Sequence, residues 1–353
     1  MLSKPMSRKL HLFINKKCNF NCRYCYWLKH ENVEMSSETA NKIISYIKSN
    51  QKYDYITFFG GEPMLSYNII LKFIKEIGPN MKYIIMTNGT IHPKYILNQL
   101  DCKKYNICFT FSYDGLYQCD RQNNTEDIIL KHIMYLKKTK LASYSIATML
   151  TPYHYIEIPN NMIKILQYTD SLLLHRICNL ANEWNDKDLD LHLKDFNKIV
   201  DIATYYTVVK EKDIWLSNRI DKFRSEDGNN INGSKGNTCQ KSLVYTDICG
   251  TDGKKYLCEV AFALNQDCYG YLWEEKDSFA VEYDKVNHNN PYHYCLFYKT
   301  ECRKYDIAME KMRDKFQLRK QKLQRLKNAK MKYLLSLDKS GRLFRLANNY
   351  FRN

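Results

Sequence analysis

Apolar runs alternate with amphipathic segments over residues 9–177, and this alternation limits the fold more than any other feature of the chain. Short runs rich in β-branched and aromatic residues favour strands, whereas apolar residues spaced three and four apart favour helices. We expect strands at residues 9–15, 55–59, 83–87, 106–112, 143–150 and 171–177. We expect helices at residues 37–50, 67–77, 93–100, 126–138 and 159–167.

Six strand–helix units in succession predict a parallel sheet with right-handed crossovers, and hence an α/β protein. Units of this size over about 200 residues suit a partial (β/α)6 TIM-like barrel. An open dinucleotide-binding fold fits less well because no Gly-x-Gly-x-x-Gly follows the first strand. In such a barrel the functional groups lie on the loops that follow the C-terminal ends of the strands.

Thirteen cysteines occur in the 353 residues, and their odd number argues against a disulfide framework. No apolar stretch approaches the roughly 20 residues of a membrane-spanning helix, and the N-terminus shows no signal-peptide pattern. We therefore expect a cytoplasmic protein in which reduced thiols bind metal.

Three of these cysteines, Cys18, Cys22 and Cys25, lie within eight residues in the loop that follows the first predicted strand. Such a loop can bind three corners of a cubane iron–sulfur cluster and leave the fourth iron open for a ligand. The alternative is a structural zinc site with three cysteines and one histidine, in which His30 would be the fourth ligand.

The Cys18-x3-Cys22-x2-Cys25 motif resembles the cluster loop of the radical S-adenosylmethionine (radical SAM) superfamily, in which an aromatic residue, here Tyr24, precedes the last cysteine. The resemblance implies a [4Fe-4S] cluster whose open iron binds the amine and carboxylate of S-adenosylmethionine. It also implies reductive cleavage of that cofactor to a 5'-deoxyadenosyl radical, which abstracts hydrogen from a substrate. A reductant such as flavodoxin or ferredoxin would supply the electron, and Tyr24 would lie near the adenine.

A second motif, Gly60-Gly61-Glu62-Pro63, ends the second predicted strand. Its glycines permit close approach of the backbone to a ligand, and its carboxylate can accept from an ammonium group. The resemblance implies that this loop holds the methionyl amine, whereas a plain Gly-rich turn is the alternative. The ends of the third and fourth strands also resemble family positions that line the cofactor, although turns use the same residue types. The candidate cofactor-binding residues are Tyr24, Gly60, Gly61, Glu62, Pro63, Asn88, Ser112 and Asp114.

A second group of cysteines lies in the C-terminal part of the chain. The spacing of Cys239, Gly253 and Cys258 resembles the opening of the auxiliary iron–sulfur domain called SPASM, or twitch in its shortened form. Only part of the later SPASM pattern is kept, so we expect one auxiliary cluster rather than two. Buried cysteine without metal is the alternative. The candidate ligands of both clusters are Cys18, Cys22, Cys25, Cys239, Cys258, Cys268, Cys295 and Cys302.

Composition divides the chain into three parts. We expect a long helix at residues 189–209. Residues 225–238 are rich in Gly, Asn and Ser, which indicates a boundary. The apolar runs at 243–248 and 254–257 predict a β-hairpin. From Arg303 to Asn353 there are 16 Lys and Arg against 4 Asp and Glu, which is most of the net charge of +16. We expect the partial barrel at 8–224, a small cysteine-rich α+β module at 225–303 and a basic C-terminal helix within 304–353.

The resemblance implies radical SAM chemistry on a peptide or protein side chain, by oxidation, epimerisation or cross-linking. RNA or a small molecule is the alternative substrate, and a zinc or iron–sulfur interaction protein is the non-enzymatic alternative. With seventeen residues before Cys18 we expect no leader-peptide domain, and the basic tail could dock a peptide instead. The tail could instead contact nucleic acid, an acidic partner or a membrane surface. No catalytic residue is assigned, although Arg176 and Glu183 are polar residues near predicted strand ends.

Overall fold

The computed structural model describes residues 8–25, 27, 30–150, 157–176, 202, 206, 210, 212–216, 246–256, 262–263 and 268–274. The helices in this part of the chain are α1 (Ser37–Asn50), α2 (Tyr67–Ile77), α3 (Lys94–Leu97), α4 (Glu126–Thr139) and α5 (Ile158–Ile165), with 3-10 helices at Pro63–Ser66 and Gly115–Asp120. The strands are β1 (Lys9–Phe13), β2 (Tyr55–Phe59), β3 (Lys82–Thr87), β4 (Asn106–Ser112), β5 (Ser143–Leu150), β6 (Ser171–Arg176), β7 (Asp213–Leu216), β8 (Thr246–Cys249), β9 (Lys254–Tyr256) and β10 (Cys268–Tyr271).

All ten described strands form one sheet, in the order β10-β9-β8-β1-β2-β3-β4-β5-β6-β7. Every neighbouring pair from β8 through β1 to β7 is parallel, and only the pairs of β9 with β8 and β10 are antiparallel. The sheet is open in the described residues, with β10 and β7 at its edges. The predicted α/β class with a barrel-like, mostly parallel sheet is confirmed.

Helix α1 shows why the amphipathic segments become helices on this sheet. The Ser36 side chain accepts a hydrogen bond from the Thr39 N–H at 3.0 Å, which satisfies one of the free donors of the first turn. The buried residues of α1 are spaced three and four apart, so that they form one face towards the sheet. These residues are Ala40, Ile43, Ile44 and Ile47.

The two faces of the sheet differ in polarity. On one face Phe58 of β2 contacts Phe73 of α2, with ring centroids 5.9 Å apart, within the main apolar core. Because side chains alternate along a strand, Thr57 lies on the opposite face. There the hydroxyl groups of Thr110 and Ser145, paired between β4 and β5, are 2.9 Å apart. This second face therefore supports a more polar interior than the helix-covered face.

The hairpin of β8 and β9 continues the barrel sheet, because β8 pairs in parallel with β1. Asp247 of β8 fixes this junction. Its carboxylate accepts from the Tyr53 hydroxyl at 2.5 Å and pairs with Arg8 at 3.4 Å and Lys52 at 3.3 Å. Strand β1 thus lies inside the sheet, between β2 and a strand from far along the chain.

The structure differs from the predicted elements mainly at the sheet edges. Strands β7 and β10 were not predicted, since four residues each carry too short a pattern to be recognised. Strand β1 ends at Phe13 rather than at residue 15, and Asn15 instead makes an isolated bridge with Glu34. Helix α3 covers only Lys94–Leu97 of the predicted 93–100.

Several predictions lie outside the described residues. Within the predicted helix at 189–209, only Ile202 and Tyr206 are described, and both are helical. The boundary at 225–238 and the basic tail lie outside the described part, as do Glu183, Cys239, Cys258, Cys295 and Cys302. Among the described residues, no helix combines the length and the apolar character needed to cross a bilayer.

Candidate functional site

The carboxyl ends of β1, β2, β3 and β4 lie side by side at one edge of the sheet, because these strands are adjacent and parallel. The loop after β1 contains the cysteine triplet, and the loop after β2 contains the Gly-Gly-Glu-Pro motif. Asn88 follows β3, while Ser112 ends β4 and Asp114 comes two residues later. The structure therefore brings the predicted residues of four separate loops to one edge.

The three thiols of the cysteine loop are half-buried and unlinked by disulfides. Burial raises the pKa of Cys18 to about 12 and that of Cys22 to about 11, and it also raises the pKa of Cys25. Thiolates in this loop are therefore costly unless a cation compensates them, and a thiolate-bound metal supplies such charge. The donor set fits iron–sulfur ligation.

Contacts to other strand ends fix the path of this loop. The Glu62 N–H donates to the Lys17 carbonyl at 2.6 Å, and the Asn88 side chain donates to the Asn19 side chain at 2.8 Å. Farther along, the Arg23 N–H donates to the Asp120 carbonyl at 2.8 Å. The loops that follow β2, β3 and β4 thus all bond to the cysteine loop.

The histidine of the zinc alternative contacts an aromatic ring. His30 stacks on Trp27 with ring centroids 5.8 Å apart, and burial lowers the pKa of the imidazole. In the part of the chain that the structure describes, no group of three or more His, Cys, Asp or Glu side chains converges closely enough to hold a single metal ion.

Gly61 is needed for the approach of two loops to each other. A Cβ at this position would lie 2.3 Å from the carbonyl oxygen of Lys17 and 2.9 Å from the Cβ of Cys18. Cβ atoms in proteins essentially never approach other heavy atoms this closely, so any side chain at position 61 would push the cysteine loop away. The close approach that the sequence predicted for a ligand is here made to the cysteine loop.

Gly60 lies beside a buried acceptor that has no donor. The Asn15 side-chain N–H2 donates to the Glu62 carbonyl at 2.9 Å and to the Ser66 hydroxyl at 2.7 Å. Among the described residues the Asn15 Oδ1 atom has no hydrogen-bond partner, and a Cβ at Gly60 would lie 2.3 Å from it. A buried acceptor without a donor is unfavourable, so this cradle fits a ligand that carries N–H groups.

The Glu62 carboxylate is buried and bonded to protein donors. It accepts from the Met64 N–H at 2.9 Å, the Thr87 hydroxyl at 2.8 Å and the Asn88 N–H at 2.5 Å. Burial raises the pKa of this carboxyl to about 7, although these three donors favour the charged form. Glu62 thus joins the ends of β2 and β3, a role that the sequence did not predict for it.

The raised pKa of Glu62 predicts a pH-dependent stability of the metal-free protein. The unfolded chain loses this proton near pH 4.5 and the folded chain near pH 7, so the folded state binds more protons between these values. The contribution of Glu62 to the free energy of unfolding should therefore fall by about 3 kcal/mol as the pH rises through this window. Urea unfolding at several pH values should show that the free energy of unfolding depends less on pH in Glu62→Gln than in the wild type.

A Glu76→Gln variant is the control for this measurement, because Glu76 lies half-exposed on α2 and pairs only with Lys72 at 3.7 Å among the described residues. It should keep the pH dependence of the wild type. Equal slopes for wild type and Glu62→Gln would contradict the assignment of this proton to Glu62.

Asp114 is the centre of a buried network behind the cysteine loop. The Arg121 guanidinium pairs with it through Nε at 2.8 Å and Nη2 at 3.3 Å, and the Tyr24 hydroxyl donates to it. The Met149 N–H donates at 2.9 Å and the Thr148 hydroxyl at 3.2 Å. Asp114 therefore has its acceptor sites filled by protein groups, and Tyr24 reaches it from the cysteine loop.

The other predicted residues have more local roles. The Asn88 Oδ1 atom accepts from the N–H and the hydroxyl of Thr90, at 3.1 Å and 2.7 Å, which shapes the turn after β3. Pro63 is buried in the first turn of a 3-10 helix, and Ser112 is half-buried at the end of β4. Cys268 is half-buried at the start of β10, opposite Tyr256 of β9 and on the far side of β8 from β1.

Two residues of the site were not predicted from the sequence. Asn15 could have been suspected, because a polar residue directly after an apolar strand is a common site position in barrels. Arg121 carried no signal, since an Asp and an Arg seven residues apart are related only through the path of the intervening 3-10 helix.

Sequence comparison connects this geometry with known proteins. A family model described as a 4Fe-4S single cluster domain matches residues 8–133. The radical SAM cyclopropyl synthase TigE of Paramaledivibacter caminithermalis is 32% identical over 139 residues, which is 33% of this chain and 29% of that protein. The chain is therefore similar to radical SAM proteins over part of its length. This confirms the predicted resemblance to the radical SAM superfamily, while the SPASM-like domain stays a prediction.

Solved structures share the fold of this chain. The structure of anSMEcpe with bound AdoMet and the Kp18Cys peptide has a TM-score of 0.58 at 17% identity, covering 77% of this chain and 79% of that one. Streptococcus suis SuiB bound to its precursor peptide SuiA has a TM-score of 0.57 at 16% identity, covering 78% of this chain and 64% of that one. At these identities the likeness shows the fold alone. The chain spans less than half the length of the curated relatives it matches.

Proposed function

We propose that this protein holds a [4Fe-4S] cluster through Cys18, Cys22 and Cys25, reductively cleaves S-adenosylmethionine and modifies a peptide or protein side chain. The observation that carries the proposal is that three half-buried thiols and the buried acceptor of Asn15 occur together in the segment that follows β1, at one edge of the sheet. Thiolates suit iron, and an acceptor without a donor suits the ammonium group of an amino-acid-like cofactor.

The bound cluster and S-adenosylmethionine would supply one-electron reduction and hydrogen abstraction. The residues of the chain supply the geometry. Glu62 holds the loops after β2 and β3 together, and the contact of Gly61 with Lys17 keeps the cysteine loop against them. Tyr24 is buried and its hydroxyl donates to Asp114, which connects the cysteine loop to the segment that follows β4. These contacts order the loop before any ligand binds, which lowers the cost of binding.

A peptide substrate is supported by the solved structures that share the fold. Two of them contain peptides: anSMEcpe with the Kp18Cys peptide and SuiB with the precursor peptide SuiA. The test is the mass change of a short peptide encoded beside this gene. Modification of an RNA or a small molecule instead would contradict the peptide assignment.

We also propose a second cluster and a division of the chain into three parts. Residues 225–303 would form a SPASM-like or twitch-like module with ligands among Cys239, Cys258, Cys268, Cys295 and Cys302. The hairpin of β8 and β9 between the first two of these cysteines, followed by Cys268 on β10, supports this reading. Residues 304–353 would add a basic helix for an acidic partner.

The central test is chemical analysis of oxygen-free protein. Iron and sulfide should be present at no less than the content of one four-iron cluster per chain. Addition of dithionite and S-adenosylmethionine should release 5'-deoxyadenosine. Zinc without iron would contradict the proposal and support the non-enzymatic scaffold.

The Cys258→Ala variant should distinguish the roles of the two proposed clusters. Iron and sulfide per chain should fall by the content of one cluster, while dithionite-dependent release of 5'-deoxyadenosine stays close to wild type. Turnover of the natural substrate should fall at least about tenfold, the lower range for loss of a group that supports a metal site. Cys119→Ala is the control, because Cys119 is an exposed thiol outside both proposed ligand sets. Unchanged iron in Cys258→Ala would exclude this cysteine as a ligand.

A further inference from the structure

Four contacts connect the cysteine loop with the segment that follows β4. The Tyr24 hydroxyl donates to Asp114, and the Arg23 N–H donates to the Asp120 carbonyl at 2.8 Å. The Arg121 guanidinium lies beside the Cys22 thiol. The guanidinium also lies over the Tyr24 ring, 5.2 Å from its centroid. Residues 22–24 of the cysteine loop therefore all contact the segment that follows β4.

The ion pair in this segment is buried. The side chain of Arg121 is 9% exposed and that of Asp114 is 3% exposed. A buried ion pair is weak evidence for stability, because the desolvation of both charges offsets their attraction and apolar replacements are often as stable. A buried pair placed beside a predicted cluster ligand therefore calls for a role other than stabilisation of the barrel.

The geometry of the pair fixes the orientation of the guanidinium. Two nitrogens, Nε and Nη2, bond to the two oxygens of Asp114, so the plane of the group cannot rotate. Asp114 is itself held by the Met149 N–H and by the Asn161 side chain, which donates to its carbonyl at 2.8 Å. The positive charge is consequently held at a fixed place next to Cys22.

We propose that Arg121, clamped by Asp114, is a positioning residue of the cluster loop, which holds Cys22 and Tyr24 in place and makes the bound cluster easier to reduce. This inference rests on the proposed function. A fixed positive charge at close range and in a poorly hydrated site favours the addition of an electron to a neighbouring group.

The test compares Arg121→Met, which removes the charge at similar volume, with Arg121→Lys, which keeps the charge but not the two-nitrogen fork. The full chain is purified without oxygen and reconstituted with iron and sulfide. Iron content, the unfolding temperature of the metal-free protein and the cluster midpoint potential are then measured. Dithionite, acting through redox mediators, supplies the single electron, and electron paramagnetic resonance detects the reduced cluster.

Arg121→Met is expected to make one-electron reduction at least about tenfold less favourable, which is a shift of about 59 mV to lower potential. Arg121→Lys should keep the wild-type potential but bind less iron, because the fork that orients the loop is lost. The control Lys131→Met removes an exposed charge on α4 and should leave both measurements unchanged. Wild-type potential and iron content in Arg121→Met would overturn the inference.

Two further outcomes are also decisive. Loss of the cluster from Arg121→Met at an unchanged unfolding temperature of the metal-free protein would support the positioning role. If Arg121→Met does not fold, Arg121→Lys decides, and wild-type iron content in that variant would overturn the inference. A wild-type protein without any cluster would instead contradict the proposed function, so the two failures are distinguishable.

Discussion

Cys22→Ala is expected to abolish the release of 5'-deoxyadenosine from S-adenosylmethionine. Cys22 is the middle of the three thiols and the one beside Arg121, so its loss leaves two ligands for a cluster that needs three corners held. Iron bound after anaerobic reconstitution should fall by the content of one cluster. The readouts are iron and sulfide analysis and chromatographic detection of 5'-deoxyadenosine after dithionite addition.

Cys102→Ala is the matched control for this experiment. Cys102 is also a partly buried thiol, but its Sγ donates to the Leu97 carbonyl at 3.2 Å and lies away from the cysteine loop in the described structure. This variant should retain both iron and cleavage activity. Cleavage retained in Cys22→Ala would refute the assignment of the cluster loop.

Gly61→Ala should destabilise the protein and empty the cluster site through a single methyl group. The new Cβ would lie 2.3 Å from the oxygen and 2.6 Å from the carbon of the Lys17 carbonyl, and backbone atoms cannot move aside as a flexible side chain can. The cysteine loop must therefore shift. We expect the free energy of unfolding to fall by about 3 kcal/mol or more, the upper range for overpacking. Urea unfolding and iron content measure the two effects.

Gly78→Ala separates this clash from the general cost of replacing a glycine. Gly78 ends α2 with φ of +97°, and in the described part of the chain no atom lies within 4 Å of a Cβ built there. The substitution should cost about 1–2 kcal/mol through backbone strain alone, with cluster loading unchanged. Equal iron loss in both variants would contradict a specific contact between Gly61 and the cysteine loop.

The long periodic elements could be predicted from the sequence with accurate limits. The ranges 37–50, 55–59, 67–77 and 106–112 coincide with α1, β2, α2 and β4, because each has a full face of buried side chains. The edge strands β7 and β10 could not be predicted, since four residues contain no more than two repeats of the two-residue alternation that indicates a strand. Their place depends on neighbours that pair with them, which sequence periodicity does not record.

The members of the site could be predicted more fully than their contacts. The cysteine loop, Glu62 and Asp114 were identified from motif and position, and the structure brings their loops together. Their bonding partners were not, because Glu62 bonds to Thr87 and Asn88 at the end of the neighbouring strand, whereas Asp114 bonds to Arg121 across a 3-10 helix. The partners of Glu62 are set by strand order, and the partner of Asp114 is set by the path of the segment after β4.

The position of β1 between β2 and β8 has a consequence for biosynthesis. The strand that leads into the cysteine loop leaves the ribosome early, but its second neighbour, Thr246–Cys249, is made more than two hundred residues later. Until then β1 is an unprotected edge with free N–H and C=O groups, and Asp247 is missing from Arg8 and Tyr53. Completion of the strand that bears the cysteine loop must therefore wait for late translation, and a shortened barrel would expose an aggregation-prone edge.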